Sequence, residues 1–227
     1  MKIQIWSDYA CPYCYIGKGH LEQALEQFAH KDEVEIEFKA FELYPNAPKT
    51  AVNTTQQRIE KKYGKTPEGA KQMIAHIEKM ASRAGLNMNY AGVKNTNTFD
   101  AHRLYHWAKS QGKGGAMNER LMQGYFGDNV ELANHDHLVH FAVDVGLNGD
   151  DAKAMLASDD FVKAVKDDEA EAQRIGVQGV PFFVFDGKTA TSGAMPVGSL
   201  LQLLHQVYEE NQADNLIGAS CGIDGCE

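Results

Sequence analysis

Cys11 and Cys14 are the residues of this sequence whose type and spacing most clearly indicate chemistry. The segment Cys11-Pro12-Tyr13-Cys14 follows a short run that predicts a strand, residues 3–6, and it precedes a run that predicts an amphipathic helix. Unpaired backbone N–H groups and the helix dipole stabilise a thiolate at a helix N-terminus. At this spacing a disulfide forms and breaks without large backbone movement. The pair therefore predicts a redox-active dithiol.

The expected reaction is thiol–disulfide exchange, with Cys11 as the nucleophile and Cys14 as the resolving thiol. Cys11 precedes the predicted helix and is expected to be the accessible thiol, whereas Cys14 lies a turn inside the helix and is expected to be more buried. Pro12 fits the first helical turn, because its missing N–H would have no partner there. The same spacing also supplies half of a tetrahedral zinc site, so a metal-binding alternative stays open.

A second cysteine pair, Cys221 and Cys226, lies near the C-terminus. The four residues between them are turn-prone, and a disulfide that closes so short a loop restrains little of the unfolded chain. The sequence therefore predicts an auxiliary redox centre that exchanges electrons with Cys11 and Cys14, directly or through substrate. Two alternatives are an exposed tail that oxidises incidentally and a zinc site formed by all four cysteines.

Composition excludes several classes of function. The 227 residues are 43% hydrophobic and 23% charged, as in ordinary globular proteins, and no apolar run approaches the roughly 20 residues that span a membrane. The formal net charge of −9 argues against a nucleic-acid partner, since phosphate contacts need clustered Lys and Arg. Met1 and Lys2 lead straight into the first predicted strand without a leader-like segment, so we expect a cytoplasmic protein.

The predicted elements alternate at both ends of the chain and are helical in between. Alternating apolar residues at positions 34–40 predict a second strand, which completes a strand–helix–strand unit. Helical periodicity then continues to about Gly176, and strands return in a predicted hairpin around Asp186-Gly187. The predicted helix N-caps in the middle segment are Thr66, Thr98, Asn134 and either Asp159 or Asp160. The sheet is therefore expected to form from both chain ends, with an inserted helical block.

Four segments of this sequence resemble a known family. They are Ser7-Asp8-Tyr9-Ala10-Cys11-Pro12-Tyr13-Cys14-Tyr15-Ile16-Gly17, Asn97-Thr98-Phe99-Asp100-Ala101-His102-Arg103-Leu104, Gly176-Val177-Gln178-Gly179-Val180-Pro181-Phe182-Phe183 and Ala219-Ser220-Cys221-Gly222-Ile223-Asp224-Gly225-Cys226. Together they resemble the FrnE-like branch of the DsbA family of thiol–disulfide oxidoreductases. The resemblance implies an α/β, thioredoxin-like fold with a large inserted α-helical subdomain. The implied divisions are a thioredoxin-like domain over 1–44 and 159–215, the helical subdomain over 45–158, and a tail over 216–227.

The resemblance also implies a substrate site around the dithiol. Val180 and Pro181 would form a cis-proline loop that faces the cysteines, and Pro12 and Tyr13 would contact substrate from the other side. His102 would lie in the helical cap near the active site. The implied partners are protein thiols and disulfides or glutathione as a co-substrate, and no resident cofactor or metal is expected.

Two alternative functions stay open from the sequence. The same family set contains 2-hydroxychromene-2-carboxylate isomerases, which share the fold and use glutathione but typically carry serine where Cys11 stands. A zinc-stabilised binding protein is the third interpretation. Neither the natural substrate nor the oligomeric state follows from the sequence.

Overall fold

A small mixed sheet organises the structure, a computed structural model that describes residues 1–220, with side chains to residue 213. Its strands are β1 (Lys2–Ser7), β2 (Glu35–Ala40), β3 (Phe182–Phe185) and β4 (Thr189–Ser192). Their spatial order is β2-β1-β3-β4. β1 pairs parallel with β2 and antiparallel with β3, and β3 pairs antiparallel with β4. The first and last parts of the chain thus share one sheet, as predicted.

Helices occupy the remaining positions of this mixed α/β fold. They are α1 (Pro12–Glu26), α2 (Thr55–Tyr63), α3 (Pro67–Arg83), α4 (Phe99–Ser110), α5 (Gly114–Phe126), α6 (His135–Asp144), α7 (Gly149–Ala157), α8 (Val162–Arg174) and α9 (Val197–Ser220). A single 3₁₀ turn in the described chain, Lys31–Glu33, precedes β2. The parallel β1–α1–β2 unit carries the dithiol, and α2 to α8 lie between β2 and β3. The domain boundaries at residues 44, 158 and 215 stay predictions.

Two of the predicted caps are confirmed by the structure. The Thr66 hydroxyl accepts the Gly69 amide at 3.1 Å, and the Asn134 side chain accepts the Asp136 amide at 2.9 Å. Each bond satisfies one of the amides that the first helical turn leaves unpaired. These caps depend on neighbouring residues alone, which is why sequence patterns find them.

The other two predicted caps differ from the structure. Thr98 occupies the N-cap position of α4 but makes no capping bond; its hydroxyl donates to Asp8, and the Asn97 side chain accepts the Phe99 amide at 2.9 Å. The predicted cap of α8 at Asp159 or Asp160 is wrong: the helix begins at Val162, after Phe161 in a left-handed conformation with φ of 62°. The Arg103 guanidinium accounts for this delay, since it donates to the carbonyls of Ser158 and Asp160 and holds that segment outside the helix.

Apolar side chains pack on both faces of the sheet. One layer joins α1 and α9 to the sheet through buried residues that include Ile3, Ile5, Leu21, Phe28, Phe183 and Leu204. A larger core fills the helical block, and Tyr15 of α1 stacks there on Phe126 of α5 with ring centroids 5.6 Å apart. Cys11 and Cys14 belong to this second core. The dithiol therefore lies where the helical block meets the sheet layer.

β2 is an edge strand whose predicted buried face is only partly buried. Ile36 is 36% exposed, whereas Ala40 is 1% exposed. Side chains from the helical block cover the outer edge toward the strand's end. The Phe38 amide donates to the Tyr105 hydroxyl at 3.2 Å, and the Ala40 amide donates to the Asp168 carboxylate at 2.9 Å. Within residues 1–220, no helix has the length and hydropathy needed to cross a membrane.

The contact between α5 and α6 generates a first prediction. A Cβ on Gly124 would overlap Cζ of Phe141, which belongs to a buried ring that is 2% exposed. We expect Gly124→Ala to lower the free energy of unfolding by about 1–3 kcal/mol, because the core must shift to admit the methyl group. Chemical denaturation monitored by circular dichroism measures this change.

Gly115→Ala on the same helix is the matched control. A methyl group at this position would meet no atom of the described residues within 4 Å, and alanine favours helix by about 1 kcal/mol. Unfolding free energies that fall equally in both variants would contradict the packing explanation.

Candidate active site

Cys11 lies at the amino end of α1, as the sequence predicts. It is the N-cap residue, with φ of −99° and ψ of 110°, and Pro12 occupies the first turn. The Cys11 carbonyl accepts the amides of Cys14 at 3.1 Å and Tyr15 at 3.4 Å, so the motif itself forms the opening turn. The first turn contains no acidic residue. Nothing in that turn therefore opposes the positive end of the helix dipole, which stabilises negative charge on Cys11.

Both cysteines are buried, which corrects the expectation of an accessible Cys11. Cys11 is 4% exposed and Cys14 is 3% exposed, and both are in the free thiol form. Cys11 is enclosed because it packs in the core of the helical block, which Tyr13 and Val180 also contact. The Cys11 Sγ lies 3.5 Å from the Val180 carbonyl oxygen, across the loop before β3. A disulfide substrate must therefore reach Cys11 through a narrow approach.

The two thiols differ in their electrostatic environment. Burial raises the pKa of the Cys14 thiol well above its ordinary value, and the hydrogen bond with Cys11 and the Cys11 charge add to this effect. The Asp8 backbone amide and the Ser7 side chain act in the opposite direction by a smaller amount. The effect of burial on the Cys14 pKa is the larger one, so Cys14 keeps its proton at neutral pH. The structure thus places a protonated, buried Cys14 beside Cys11 at the helix end, and the roles of the two thiols stay predictions.

The loop at Val180 and Pro181 is packed against α1. Its Val180–Pro181 peptide bond is cis. A Cβ on Gly17 would lie 3.2 Å from Cγ of Pro181 and 3.4 Å from the Ala194 backbone, so only glycine allows this approach without displacement. The Gly193 amide donates to the Pro181 carbonyl at 2.8 Å and ties the loop to the end of β4. These contacts place the Val180 carbonyl beside the Cys11 sulfur.

Asp8 is a buried charged residue whose role the sequence analysis missed. It is 0% exposed, although it lies three positions before Cys11 at the end of β1. Its carboxylate accepts the amides of Ala10 at 3.1 Å and Leu43 at 2.7 Å, and the Thr98 hydroxyl at 2.8 Å. One sequence signal could have indicated this role: an acidic residue directly follows an apolar strand. A charged side chain is rarely buried at such a position unless it is paired.

A cavity of about 650 Å³ lies on one side of α1, but it is lined by Leu21, Ile36 and Phe38 rather than by the cysteines. A second cavity has a volume of about 530 Å³, and we call it the tyrosine pocket. Its lining residues are Tyr44, Thr55, Arg58, Ile59, Lys61, Lys62, Tyr63 and Tyr90. The second cavity was not predicted, because its residues carry no sequence motif.

The tyrosine pocket shares Ile59 and Tyr90 with the core that contains the dithiol. Burial raises the pKa of Tyr13, and the nearby Tyr63 and Cys11 raise it further. Burial also raises the pKa of Tyr90, Arg58 acts in the opposite direction, and Cys11 adds to the increase. Cys11 thus raises the pKa of Tyr90, which lines the pocket, and of Tyr13, which does not. The pocket itself is lined by cations and aromatic rings.

The remaining predicted site residues fall into two groups. Pro12 and Pro181 are buried, while Tyr13 and Val180 are half-buried and pack against the core that contains Cys11. Cys221 and Cys226 lie outside the described residues, so their predicted redox role stays a prediction. Within residues 1–220, no group of three or more His, Cys, Asp and Glu side chains is arranged to hold a metal ion.

Comparison with known proteins identifies the class. A family model described as a DSBA-like thioredoxin domain matches residues 2–205. The chain belongs to this family, and it is a DsbA-like thiol–disulfide oxidoreductase. The predicted fold class is thereby confirmed.

Three individual proteins are similar to this chain. The structure of the probable DsbA oxidoreductase SCO1869 from Streptomyces coelicolor is 37% identical, with a TM-score of 0.88, over 92% of this chain and 91% of that one. The protein YwbO of Bacillus subtilis (strain 168) is 29% identical over 86% of this chain and 90% of its own. The cytosolic disulfide reductase DsbM from Pseudomonas aeruginosa, solved with GSH, shares the fold at 14% identity and a TM-score of 0.61, over 94% of this chain and 100% of that one.

The unequal environments of the two thiols predict an order of modification. When the reduced protein meets iodoacetamide near neutral pH, we expect carbamidomethylation at Cys11 well before Cys14, because the raised pKa of Cys14 leaves little thiolate. Labelling of Cys14 should rise only as the pH increases into the alkaline range. Peptide-resolved mass spectrometry over a pH series measures both rates.

The oxidised protein is the control, since a Cys11–Cys14 disulfide should protect both positions. Faster labelling of Cys14 than of Cys11 near neutral pH would show that the roles are reversed.

Proposed function

We propose that this protein catalyses thiol–disulfide exchange through Cys11 and Cys14, with Cys11 as the nucleophile and Cys14 as the resolving thiol. One observation carries the proposal: Cys11 is the N-cap of α1 with its sulfur 3.5 Å from the Val180 carbonyl, while Cys14 is buried behind it with a raised pKa. This arrangement separates a thiol at the helix end, suited to the first attack, from one that reacts only after a mixed disulfide has formed.

The reaction then runs in two steps. The Cys11 thiolate attacks one sulfur of a substrate disulfide, a mixed disulfide forms, and the first substrate thiolate leaves and takes up a proton. Cys14 then loses its proton and attacks the Cys11 sulfur, the mixed disulfide breaks, and the second substrate thiolate leaves. The protein ends as the Cys11–Cys14 disulfide, and two electrons have passed to the substrate. An external thiol must return the protein to its reduced form.

We further propose that the favoured partner is a small disulfide or thiol that carries carboxylates, such as glutathione. Cys11 is only 4% exposed, which disfavours a folded protein as the partner. The neighbouring tyrosine pocket contains Arg58, Lys61 and Lys62, and within the described side chains none of these cations forms an ion pair with a carboxylate. Unpaired cations in a chain of net charge −9 favour an anionic ligand at this position.

The contacts of Lys62 show how this pocket would orient such a ligand. Its ammonium lies 4.7 Å from the centroid of the Tyr44 ring and 5.3 Å from that of Tyr63, and it donates to the Tyr44 hydroxyl. Arg58 lies 5.5 Å from the Tyr44 centroid. The rings hold both cations in place while leaving them able to bind a carboxylate. The solved complex of the fold neighbour DsbM with GSH supports a thiol ligand of this kind, and a cytoplasmic location is part of the proposal.

Replacement of each cysteine tests the proposed reaction. We expect Cys11→Ser to reduce the turnover of glutathione disulfide to background, because the attacking sulfur is lost. Cys14→Ser should retain the first attack, accumulate a mixed disulfide with glutathione on Cys11, and fail to turn over. Both are measured with reduced protein and no added reductant: intact-protein mass spectrometry detects the adduct, and the number of glutathione molecules released per protein measures the two steps.

The same variants separate this reaction from the glutathione-dependent isomerase alternative. An isomerase that uses glutathione needs no resolving thiol. Full turnover of glutathione disulfide by Cys14→Ser, or a mixed disulfide that survives in Cys11→Ser, would overturn the assigned roles.

The substrate proposal predicts a charge-specific defect. Lys62→Met keeps most of the side-chain length but removes the ammonium, so KM for glutathione disulfide should rise about 10-fold while kcat changes little. The neutral hydroxyethyl disulfide should show no such rise. Lys65→Met is the matched control, because Lys65 is an exposed lysine just after α2 that does not line the pocket. An equal increase in KM for both disulfides would refute a carboxylate site.

A further inference from the structure

The first half of β2 leaves one amide of the sheet edge without a partner. Backbone groups of a strand point alternately to its two sides. The amides of Glu35 and Phe41 donate at 2.9 and 3.2 Å to carbonyls on the β1 side, whereas the amides of Phe38 and Ala40 face outward and donate to the helical block. By this alternation the Ile36 amide also faces outward. No acceptor for it lies within hydrogen-bond distance among the residues that the structure describes.

The cavity of about 650 Å³ beside α1 opens along this edge, and we call it the strand-edge groove. It lies between α1, the first half of β2 and the segment after α3. Its apolar lining residues are Leu21, Ile36, Phe38, Ala84, Leu86 and Tyr105. The Ile36 side chain is 36% exposed, so part of the apolar floor faces solvent. A free strand amide beside an apolar groove suits an extended peptide, because the amide binds its main chain and the groove receives its side chains.

The charged lining of the groove has an excess of carboxylates. The Lys18 ammonium lies 2.6 Å from the Glu22 carboxylate and 2.5 Å from that of Glu119, so two acids share one cation. Glu26 also lines the groove, is exposed, and forms no ion pair among the described side chains. A ligand that carries positive charge therefore complements this surface.

The charges along β2 argue against a second copy of the chain as the occupant. An antiparallel pair of β2 strands centred on Ile36 would place Glu35 of one copy directly opposite Glu37 of the other. Like charges at directly opposed positions destabilise a strand pair. The side chain of Glu35 is 71% exposed, and its position is therefore open to a basic residue of a different chain.

We propose that the strand-edge groove docks an extended segment of another protein that has an apolar centre and basic flanking residues. The main chain of the segment pairs with β2 at Ile36, where the Ile36 amide donates to a carbonyl of the segment. Its apolar side chains pack on the groove floor, and a basic side chain binds the Glu26 carboxylate. The pairing stops at Phe38, because the Tyr105 hydroxyl already accepts the next outward amide.

This docking surface is separate from the dithiol site. Its lining begins at Lys18, seven residues and about two helical turns after Cys11, and it shares no residue with the tyrosine pocket. Docking uses no exchange reaction. The surface can therefore be tested with a segment that contains no cysteine.

Binding of a labelled peptide to the reduced, full-length protein tests the proposal. The probe is fluorescein-labelled Lys-Lys-Val-Ile-Val-Lys-Lys with an amidated C-terminus, and fluorescence anisotropy measures its Kd. An analogue with glutamate in place of every lysine should bind at least 10-fold more weakly, because the groove has excess negative charge.

Two substitutions of Ile36 separate the amide from the side chain. Ile36→Ala shortens the side chain and keeps the amide. Ile36→Pro also removes the amide, which proline permits on an edge strand where the N–H faces outward. We expect Kd for the basic peptide to be about 5-fold higher in Ile36→Pro than in Ile36→Ala, the effect of one hydrogen bond.

A second pair of variants tests the charge. Glu26→Gln should raise Kd for the basic peptide about 3-fold, as expected for one exposed ion pair. Glu68→Gln is the matched control, because it changes the net charge equally but lies in the first turn of α3, at the end away from the groove. This control should leave Kd unchanged.

Equal Kd values for Ile36→Pro and Ile36→Ala would overturn the proposed strand pairing, as would equal binding of the basic and acidic peptides. If Ile36→Pro does not fold, a probe whose three central amides are N-methylated tests the same main-chain pairing, and unchanged binding would again contradict it. A wild-type protein that binds no peptide but forms dimers, which Ile36→Pro dissociates in sedimentation velocity, would assign the edge to a second copy and overturn the proposal. None of these outcomes affects the reaction at Cys11, which the glutathione disulfide assay tests separately.

Discussion

The close packing of α1 on the loop at Pro181 determines where the reactive sulfurs lie. Gly17 permits this contact, because any larger residue would meet Pro181 and the Ala194 backbone. The contact brings the Val180 carbonyl to the Cys11 sulfur and places the start of α1 against the helical block. The position of α1 therefore sets three properties of the site: the positive helix end at Cys11, the enclosure of Cys11 and the burial of Cys14.

Enclosure and reactivity act against each other at this site. Burial disfavours charge on both sulfurs, yet exchange needs each of them to ionise in turn. For Cys11 the helix end supplies the stabilisation, whereas burial raises the pKa of Cys14 well above its ordinary value. A carboxylate buried three residues before the nucleophile would by itself disfavour a thiolate, and its contacts resolve this conflict. Donors from three segments, the amides of Ala10 and Leu43 and the Thr98 hydroxyl, satisfy its charge.

The sequence predicts what depends on neighbouring residues. The strand–helix–strand unit, the helix caps at Thr66 and Asn134, and the position of Cys11 at the start of α1 each follow from short-range patterns and propensities. The resemblance adds the topology, which local patterns cannot give, since β1 pairs with β3 about 180 residues later in the chain. These predictions cover most of the fold.

What the sequence misses depends on contacts between distant segments. The exposure of Cys11 depends on the loop at Val180, the Thr98 hydroxyl is taken by Asp8 from 90 residues away, and the start of α8 is delayed by Arg103. The tyrosine pocket likewise combines α2 with residues before and after it in the chain. In each case a contact with a distant segment overrides the structure that the neighbouring residues favour. No short stretch of sequence contains both contacting residues.

The covered edge of β2 has a consequence for dissecting this protein. Tyr105 and Asp168 occupy the outward amides of Phe38 and Ala40, the groups through which a foreign strand would join the sheet. Both covering residues come from helices of the middle segment. A shortened chain that joined the two halves of the sheet directly would keep the dithiol motif but expose an unpaired edge, and we expect it to self-associate. The middle segment thus also serves as the chain's protection against aggregation.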